Sequence, residues 1–168
     1  MTATGLDVFD KTLQTTNLWL KELSEEIGPD RQVAWHVLGT VLRTLRDRLP
    51  LGLAAHLGAQ LPLLVRGIYY DQWHPRPKPL KLRSTKQFLE EVSNGLGDIR
   101  PVDATAATRA VFQVLNHYVD PGQIENVREA LSEPVRKLWP QNAESASHNV
   151  PEEADPMAAC TRMRRFGS

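Results

Sequence analysis

The chain has 168 residues, and its 20 Lys and Arg balance its 20 Asp and Glu, so the formal net charge is zero. This length suits one domain or two very small ones. Zero charge excludes the overall positive field of a protein that neutralises many phosphates, and it leaves nucleic-acid binding to a local patch.

Three further absences concern compartment and anchoring. The single cysteine, Cys160, cannot close an intramolecular disulfide, which favours an apolar core and a reducing compartment. No run of 18 apolar residues occurs, and the N-terminus lacks the basic and apolar stretches of a signal peptide. We therefore expect a cytoplasmic protein with no membrane partner.

The first segment has the periodicity of a long amphipathic helix. Apolar side chains recur at steps of three, four or seven residues and form one stripe. Its members are Leu6, Phe9, Leu13, Leu20, Leu23 and Ile27. Gly28 and Pro29 then predict the end of this helix, because glycine tolerates a left-handed C-terminal conformation and proline cannot continue a helix.

Further helices follow in the first half of the chain. Asp30 is a suitable N-cap for a second helix, which Pro50 ends. Pro62 interrupts the next apolar stretch, which predicts two short helices over about 53–60 and 62–69. Prolines then alternate with other residues in the segment 71–83, so we expect an extended connector there.

The second half begins with a capping box. Ser84 and Gln87 directly precede apolar residues, which predicts a helix that ends near Gly97. A helix over about 104–119 follows. Asp120 fits the N-cap of the next helix, and Ser132 is the predicted N-cap of a last short helix that ends at Trp139.

The two halves are similar in sequence. The matching pairs of segments are 19–28 with 88–97, 41–42 with 114–115, and 61–69 with 131–139. We therefore predict an all-α helical bundle over residues 1–140, built from two repeats (5–70 and 84–140) joined by the connector 71–83. A unit of roughly 60 residues has a marginal core alone, so the repeats are expected to pack face to face.

The remaining residues, 141–168, have a different composition. They are rich in Ala, Ser, Asn, Glu and Pro and show no apolar period, which predicts a disordered tail. Its last residues include Arg162, Met163, Arg164, Arg165 and Phe166. Such a segment is suited to an acidic or apolar groove, and a terminal basic segment without a role is the alternative.

Two strings carry a family resemblance: Asp7-Val-Phe-Asp-Lys-Thr-Leu-Gln-Thr-Thr-Asn17, and Ala59-Gln-Leu-Pro-Leu-Leu-Val-Arg-Gly-Ile-Tyr-Tyr70 with Trp73. Over about residues 5–140 the chain resembles the bacterial family called domain of unknown function 2267. The resemblance implies an all-helical prokaryotic domain, fused in some relatives to nucleotide-sensing CBS modules. It implies no established activity and no catalytic residues.

Motifs for catalysis and metal binding are lacking in the sequence. There is no His-Glu-x-x-His, no paired cysteine, no Gly-x-Ser-x-Gly and no phosphate-binding glycine loop. The five histidines lie at least 18 residues apart, so no two share a helix turn as metal ligands. We predict no catalytic residue, metal or cofactor, and a non-enzymatic role is favoured.

Aromatic and basic residues are most concentrated around the connector. Between residues 71 and 86 there are five basic side chains and one acidic. Aromatic rings offer stacking area, and the cations attract phosphate or an acidic partner. The candidate partner-binding residues are Tyr70, Trp73, His74, Arg76, Lys78, Lys81 and Arg83. The alternative is structural: the rings close the joint between the repeats while the cations keep the connector soluble.

A second set of candidates comprises polar residues on the predicted helices: Arg66, Asn17 and His36. Arg66 matches Arg136 in the other repeat, and an inward ion pair with Asp10 or Glu22 is the favoured explanation. If all three candidates face inward, they line a pocket between the repeats.

These observations lead to three functional hypotheses. The first is a non-enzymatic interaction or regulatory module that binds an unknown protein partner, or itself, through Tyr70, Trp73 and the connector. The second is a small-molecule-binding protein or uncharacterised enzyme with a pocket between the repeats. The third and weakest is nucleic-acid binding by the connector.

Overall fold

The computed structural model describes residues 3–76, 79, 84–97, 99 and 102–141. Within these residues it contains eight α-helices and no β-strand, which confirms the predicted all-α class. The helices are α1 Asp7–Ile27, α2 Arg31–Arg46, α3 Leu51–Gln60, α4 Leu63–Tyr70, α5 Thr85–Leu96, α6 Ala104–Tyr118, α7 Pro121–Ala130 and α8 Glu133–Arg136. No helix of the described part is long and apolar enough to cross a bilayer.

Three of the predicted N-caps make the hydrogen bonds expected of them. The carboxylate of Asp30 accepts from two backbone N–H groups in the first turn of α2. Ser84 Oγ accepts from the N–H of Gln87 at 3.2 Å, and Asp120 Oδ2 accepts from the N–H of Gln123 at 3.1 Å. These bonds satisfy donors that the helix itself leaves unpaired, so they set where α2, α5 and α7 begin.

Ser132 occupies the N-cap position of α8 as predicted, but its side chain does not make the expected capping bond. Its Oγ makes no capping bond and has no hydrogen-bond partner among the described residues. Pro134 removes the N–H of the second helical residue, but the N–H of the third, Val135, is the group that corresponds to those bonded by the N-caps of α5 and α7, so the missing bond has no structural explanation. The helix that follows is shorter than expected, because α8 ends at Arg136 and Trp139 lies in a turn.

The core is built around α2, which packs against α1, α4, α5 and α6. One side of α2 is completely buried, including Val37, Leu38, Val41 and Leu42. Several contacts run between the predicted halves: α1 packs on α6, α5 on α2, and α3 on α7. The core is therefore shared by the two halves of the chain.

Equivalent features recur in both halves. Gly28 and Gly97, which match in the sequence, end α1 and α5 with positive φ angles of 112° and 56°. The exchanged packing of α1 on α6 and of α5 on α2 is also what two similar halves packed face to face would produce. These features support the two-repeat arrangement, which remains our proposal.

The contact between α1 and α6 combines stacking with a polar bond. The rings of Trp19 and Tyr118 stack with centroids 5.1 Å apart. His117 Nδ1 lies 2.7 Å from Glu22 Oε2. Desolvation, together with the nearby Glu22 carboxylate, raises the pKa of the Tyr118 hydroxyl. This contact places α6 along the second half of α1.

Among the described residues, the first half of α1 has no such neighbour on its apolar side. Leu20 and Leu23 of the predicted stripe are buried, but Leu6, Phe9 and Leu13 are 52 %, 53 % and 45 % exposed. The periodicity correctly predicted a helix with one apolar side. Only the C-terminal half of that side meets the core.

Candidate functional site

A small surface forms where the end of α4 meets the end of α2. Tyr70 is the last residue of α4, and Trp73, His74 and Arg76 follow it. Arg46, the last residue of α2, lies beneath them. We call these five residues the Arg46 surface.

Arg46 is anchored by its surroundings, with a side chain only 4 % exposed. Its Nη1 donates to the carbonyl oxygens of Tyr69 at 2.5 Å and Asp71 at 3.0 Å. Its Nε donates to Asp47 Oδ1 at 2.9 Å. The carbonyls at the C-terminal end of a helix have no partner within the helix, so Arg46 satisfies this end of α4 and also fixes the backbone that leads to Trp73.

Aromatic rings pack in sequence over this arginine. The centroids of Tyr69 and Tyr70 are 5.0 Å apart in an edge-to-face arrangement, and those of Tyr70 and Trp73 are 5.3 Å apart. The Arg46 guanidinium lies 5.8 Å from the centre of the Trp73 ring, within the range of a cation–π contact. Tyr69 is buried and Trp73 is partly exposed, so the three rings form a row that extends from the core to the surface.

A cavity of about 100 Å³ opens beside Trp73. Its lining residues are Arg46, Asp47, Leu49, Leu51, Gln72, Trp73, His74, Arg76 and Pro79. Gln72 has a φ angle of 51°, in the left-handed region that costs a non-glycine residue on the order of 1 kcal/mol. The chain accepts this conformation at the turn that brings Trp73 back over Arg46.

The charges around the cavity favour an anion. Two arginines and a histidine line it, against one carboxylate. That carboxylate, Asp47, already accepts from Arg46 Nε. The Nη2 amino group of Arg46 has no hydrogen-bond partner among the described residues, and a guanidinium amino group of this kind can donate to a carboxylate or phosphate.

Part of the predicted partner-binding set therefore comes together in the structure. Trp73, His74 and Arg76 line one cavity, and Tyr70 packs on Trp73. Lys78, Lys81 and Arg83 lie outside the described residues. The binding role of the whole set stays a prediction.

The three pocket candidates have separate partners. Asn17 Oδ1 accepts from Arg31, and His36 Nε2 donates to the carbonyl of Gly95 at 2.9 Å. Arg66 lines a groove beside Trp19 and Tyr118 that neither Asn17 nor His36 borders. Neither this groove nor the cavity beside Trp73 is lined by all three residues. Their binding role stays a prediction.

The expected inward ion pair of Arg66 with Asp10 or Glu22 is not formed. Arg66 instead donates to the carbonyl oxygens of Gly58, Ala59 and Leu61, at 2.9 to 3.0 Å. Its guanidinium therefore satisfies the C-terminal end of α3, where unpaired carbonyls and the helix dipole attract a cation.

Arg136 does the same in the second half. It donates to the carbonyls of Arg128, Glu129 and Leu131, which precede it by eight, seven and five residues. Arg66 has the same three spacings. The two arginines are therefore equivalent in contacts as well as in sequence.

Sequence reasoning missed Arg46. Flanked by Leu45 and Asp47, it resembles an ordinary solvent-facing charge at a helix end. One signal was available, because Arg46 follows the core residue Leu42 by four positions and so shares its side of α2. A cation at a position of the apolar period indicates a buried partner, here the carbonyls at the end of α4.

Comparison with known proteins gives the family. The model of the family described as "Uncharacterized conserved protein (DUF2267)" matches residues 16–138. The chain therefore belongs to this family, which confirms the resemblance found in the sequence. No curated protein matches the chain.

Proposed function

We propose that the protein is a non-enzymatic interaction module that binds an acidic segment of a protein partner at the Arg46 surface. The observation that carries the proposal is the buried Arg46 guanidinium, held beside the Trp73 ring by two carbonyls and one carboxylate, with no partner of Nη2 among the described residues. An arginine held in place loses little conformational freedom when it binds a carboxylate.

The composition of the surface fits a protein partner. Tryptophan, tyrosine and arginine are the residues that most often dominate the binding energy of protein interfaces. Here Trp73 contacts both Tyr70 and Arg46, and the two aromatic rings are partly exposed. A carboxylate side chain of the partner would reach Arg46, and its neighbours would pack on Trp73.

The size of the cavity separates this proposal from a small-molecule site. Ligand pockets typically have volumes of about 300–1,000 Å³. The cavity beside Trp73 has about 100 Å³, which accommodates one carboxylate or phosphate group and little more. The rest of any ligand must therefore lie on the surface, as an extended segment of a protein does.

The test is a titration of the full-length protein with hexaglutamate, followed through the indole N–H signal of Trp73 in a ¹H–¹⁵N spectrum. We expect a saturable shift of this signal, and no comparable shift with hexalysine at equal ionic strength. Arg76→Gln is expected to weaken binding several-fold. Arg109→Gln removes the same charge from an exposed position on α6 and is expected to bind as the wild type does.

Two results would contradict the proposal. One is the absence of any Trp73 shift with hexaglutamate at millimolar concentration. The other is an equal loss of binding in the Arg76 and Arg109 variants, which would indicate a general charge effect. Tighter binding of a single-stranded oligonucleotide than of hexaglutamate would favour the nucleic-acid hypothesis instead.

A further inference from the structure

The first half of α1 presents an apolar surface that no described residue covers. Leu6, Phe9 and Leu13 are each about half exposed. Their spacing of three and four places them on one side of the helix. We call these three residues the α1 face. A continuous exposed apolar patch on a globular protein usually marks a contact.

The charges beside the α1 face are acidic. Asp7 and Asp10 are the charged residues of the first turn of α1. Asp10 Oδ1 accepts from the backbone N–H and the hydroxyl of Thr4, whereas its Oδ2 has no partner among the described residues. Lys11 lies four residues after Asp7 and therefore on the same side of α1 as that carboxylate, where Lys11 lines a groove with α4. Asp10, four residues after Leu6, is the charge that borders the α1 face. A partner of this face should therefore combine apolar with basic side chains.

The chain itself contains such a segment beyond the described residues. Residues 162–166 have the sequence Arg-Met-Arg-Arg-Phe, which combines three cations with two large apolar side chains. The acidic residues between 141 and 168 all precede residue 156, so only the last part of this stretch has the required charge.

The described part of the chain ends within reach of the α1 face. The carbonyl of Pro140 accepts from Asn116 Nδ2 at 3.2 Å, and the adjacent His117 lies 2.7 Å from Glu22 of α1. From Glu22 to Phe9 the helix rises by ~20 Å. The residues between 141 and 162 can span up to ~65 Å when extended. Residues 162–166 can therefore reach the α1 face of the same chain.

We propose that residues 162–166 bind the α1 face in cis. Met163 and Phe166 cover Leu6, Phe9 and Leu13, while the arginines lie beside Asp10. The binding surface of the α1 face lies outside the family match at residues 16–138, as do residues 162–166. The contact thus adds a second interaction to the family domain, independent of the Arg46 surface.

The only cysteine of the chain gives a direct test, because Cys160 lies two residues before the proposed segment. A nitroxide attached to Cys160 of the full-length ¹⁵N-labelled protein broadens the amide signals of nearby residues. We expect loss of intensity at residues 6–13 relative to the reduced, diamagnetic form. The amides of α7 serve as an internal reference and are expected to keep their intensity.

Three variants make the test specific. Replacing Arg162, Arg164 and Arg165 by glutamine should restore most of the lost intensity, and so should Phe9→Ser. Leu64→Ser changes an exposed apolar residue on α4 and should leave the broadening as in the wild type. Added salt should weaken the broadening, because part of the contact is between exposed charges.

A mixed sample distinguishes cis binding from binding between chains. It contains ¹⁵N-labelled Cys160→Ser protein and unlabelled, spin-labelled wild type. Broadening of residues 6–13 in this sample, as strong as in the singly labelled protein, would show contact with a second copy and overturn the cis proposal. Absence of broadening in both samples would overturn it as well.

Discussion

Gly95 marks a place where two helices approach too closely for a side chain. A β-carbon at this position would lie 2.6 Å from Cγ2 of Thr40, which is buried on α2. Thr40 is β-branched and has little rotamer freedom with which to move away. We expect Gly95→Ala to lower the free energy of unfolding by about 1–3 kcal/mol, despite the helix propensity that alanine adds. Urea denaturation followed by circular dichroism measures this change.

Gly67 on α4 provides the matched control, because no atom lies within 4 Å of a β-carbon there. Gly67→Ala is expected to raise the free energy of unfolding by about 0.5–1 kcal/mol, since alanine restricts the unfolded chain and favours helix. Similar losses in both variants would show that close packing at Gly95 is not the cause.

Tyr69 makes stability depend on pH in the alkaline range. Its buried hydroxyl donates to the carbonyl of Ala54 at 2.7 Å, and burial raises the pKa of this hydroxyl above its usual range. In the unfolded chain the tyrosine hydroxyl ionises at about pH 10, whereas in the folded protein it stays protonated to higher pH. The contribution of Tyr69 to the free energy of unfolding is therefore fully present below about pH 10 and is lost as the pH rises above it. The slope is at most about 1.4 kcal/mol per pH unit.

Urea denaturation between about pH 8 and 11 checks this prediction. Tyr69→Phe should have a shallower alkaline slope than the wild type. It should also lose about 1 kcal/mol near neutral pH, because the carbonyl of Ala54 loses its donor. Parallel pH curves for the two proteins would contradict the assignment.

At the scale of single residues, the sequence identified Tyr70 and Trp73 as binding candidates, but it did not identify Arg46, which lies beneath them. Tyr70 and Trp73 stand out because they have no counterpart in the second half of the chain. Arg46 does not, since its role depends on where the end of α4 lies in three dimensions. A side chain that binds carbonyls 23 and 25 residues away leaves almost no local pattern.

At the scale of helices, Arg66 and Arg136 are expected to make equal contributions. Each donates three hydrogen bonds to the C-terminal end of the preceding helix. Replacing either by methionine keeps the apolar stem and leaves these carbonyls unpaired. We expect each variant to lose about 2–3 kcal/mol of stability, measured by urea denaturation.

Lysine provides the control at both positions. Arg66→Lys and Arg136→Lys keep the charge but not the planar fork that reaches three carbonyls, so each should recover only part of the loss. A large cost at one position and none at the other would count against the equivalence of the two repeats.

Helix ends and helix interiors differ in how well the sequence predicts them. Asp30, Ser84 and Asp120 act through groups three residues away or fewer, so their roles were visible in the sequence. Ser132 lies at the predicted N-cap position of α8, and only its side-chain bond is missing. The exposure of Phe9 could not be predicted, since periodicity shows which side of a helix is apolar and not whether a neighbour extends that far.

At the scale of the whole molecule, the shared core predicts that neither half folds alone. α1 packs on α6 and α2 packs on α5, so each half supplies the surface that buries the other. A chain of roughly 70 residues without these contacts buries too little surface to be stable. We expect the separate fragments 1–76 and 77–168 to show weak helical circular dichroism and no cooperative thermal transition.

Mixing the two fragments in equal amounts should restore both the helical signal and a cooperative transition. Fragment 1–76 alone, at the total concentration of the mixture, is the control. Cooperative unfolding of either fragment alone would show that each half has a complete core, contrary to the exchanged packing of the helices.

The overall class was predictable because it depends on features that recur along the chain. Helical periodicity, caps and matching segments all indicated an all-α protein, and the structure is all-helical in the residues it describes. The packing of the helices against one another was harder to predict from the sequence. The sequence offered face-to-face packing of the halves as an expectation, while the pairing of α1 with α6 depends on contacts such as that of Trp19 with Tyr118.

The exchanged packing also has a consequence for synthesis. α1 acquires its main neighbour only when α6, which ends at Tyr118, has left the ribosome. At about 5–20 residues per second, the ribosome needs roughly 2–8 s to add the residues between 76 and 118. During that interval α1 can pack on α2 and α4, but the part of its surface that packs on α6 is complete and uncovered. The nascent chain should therefore be a chaperone substrate during those seconds, and should cease to be one once α6 has emerged.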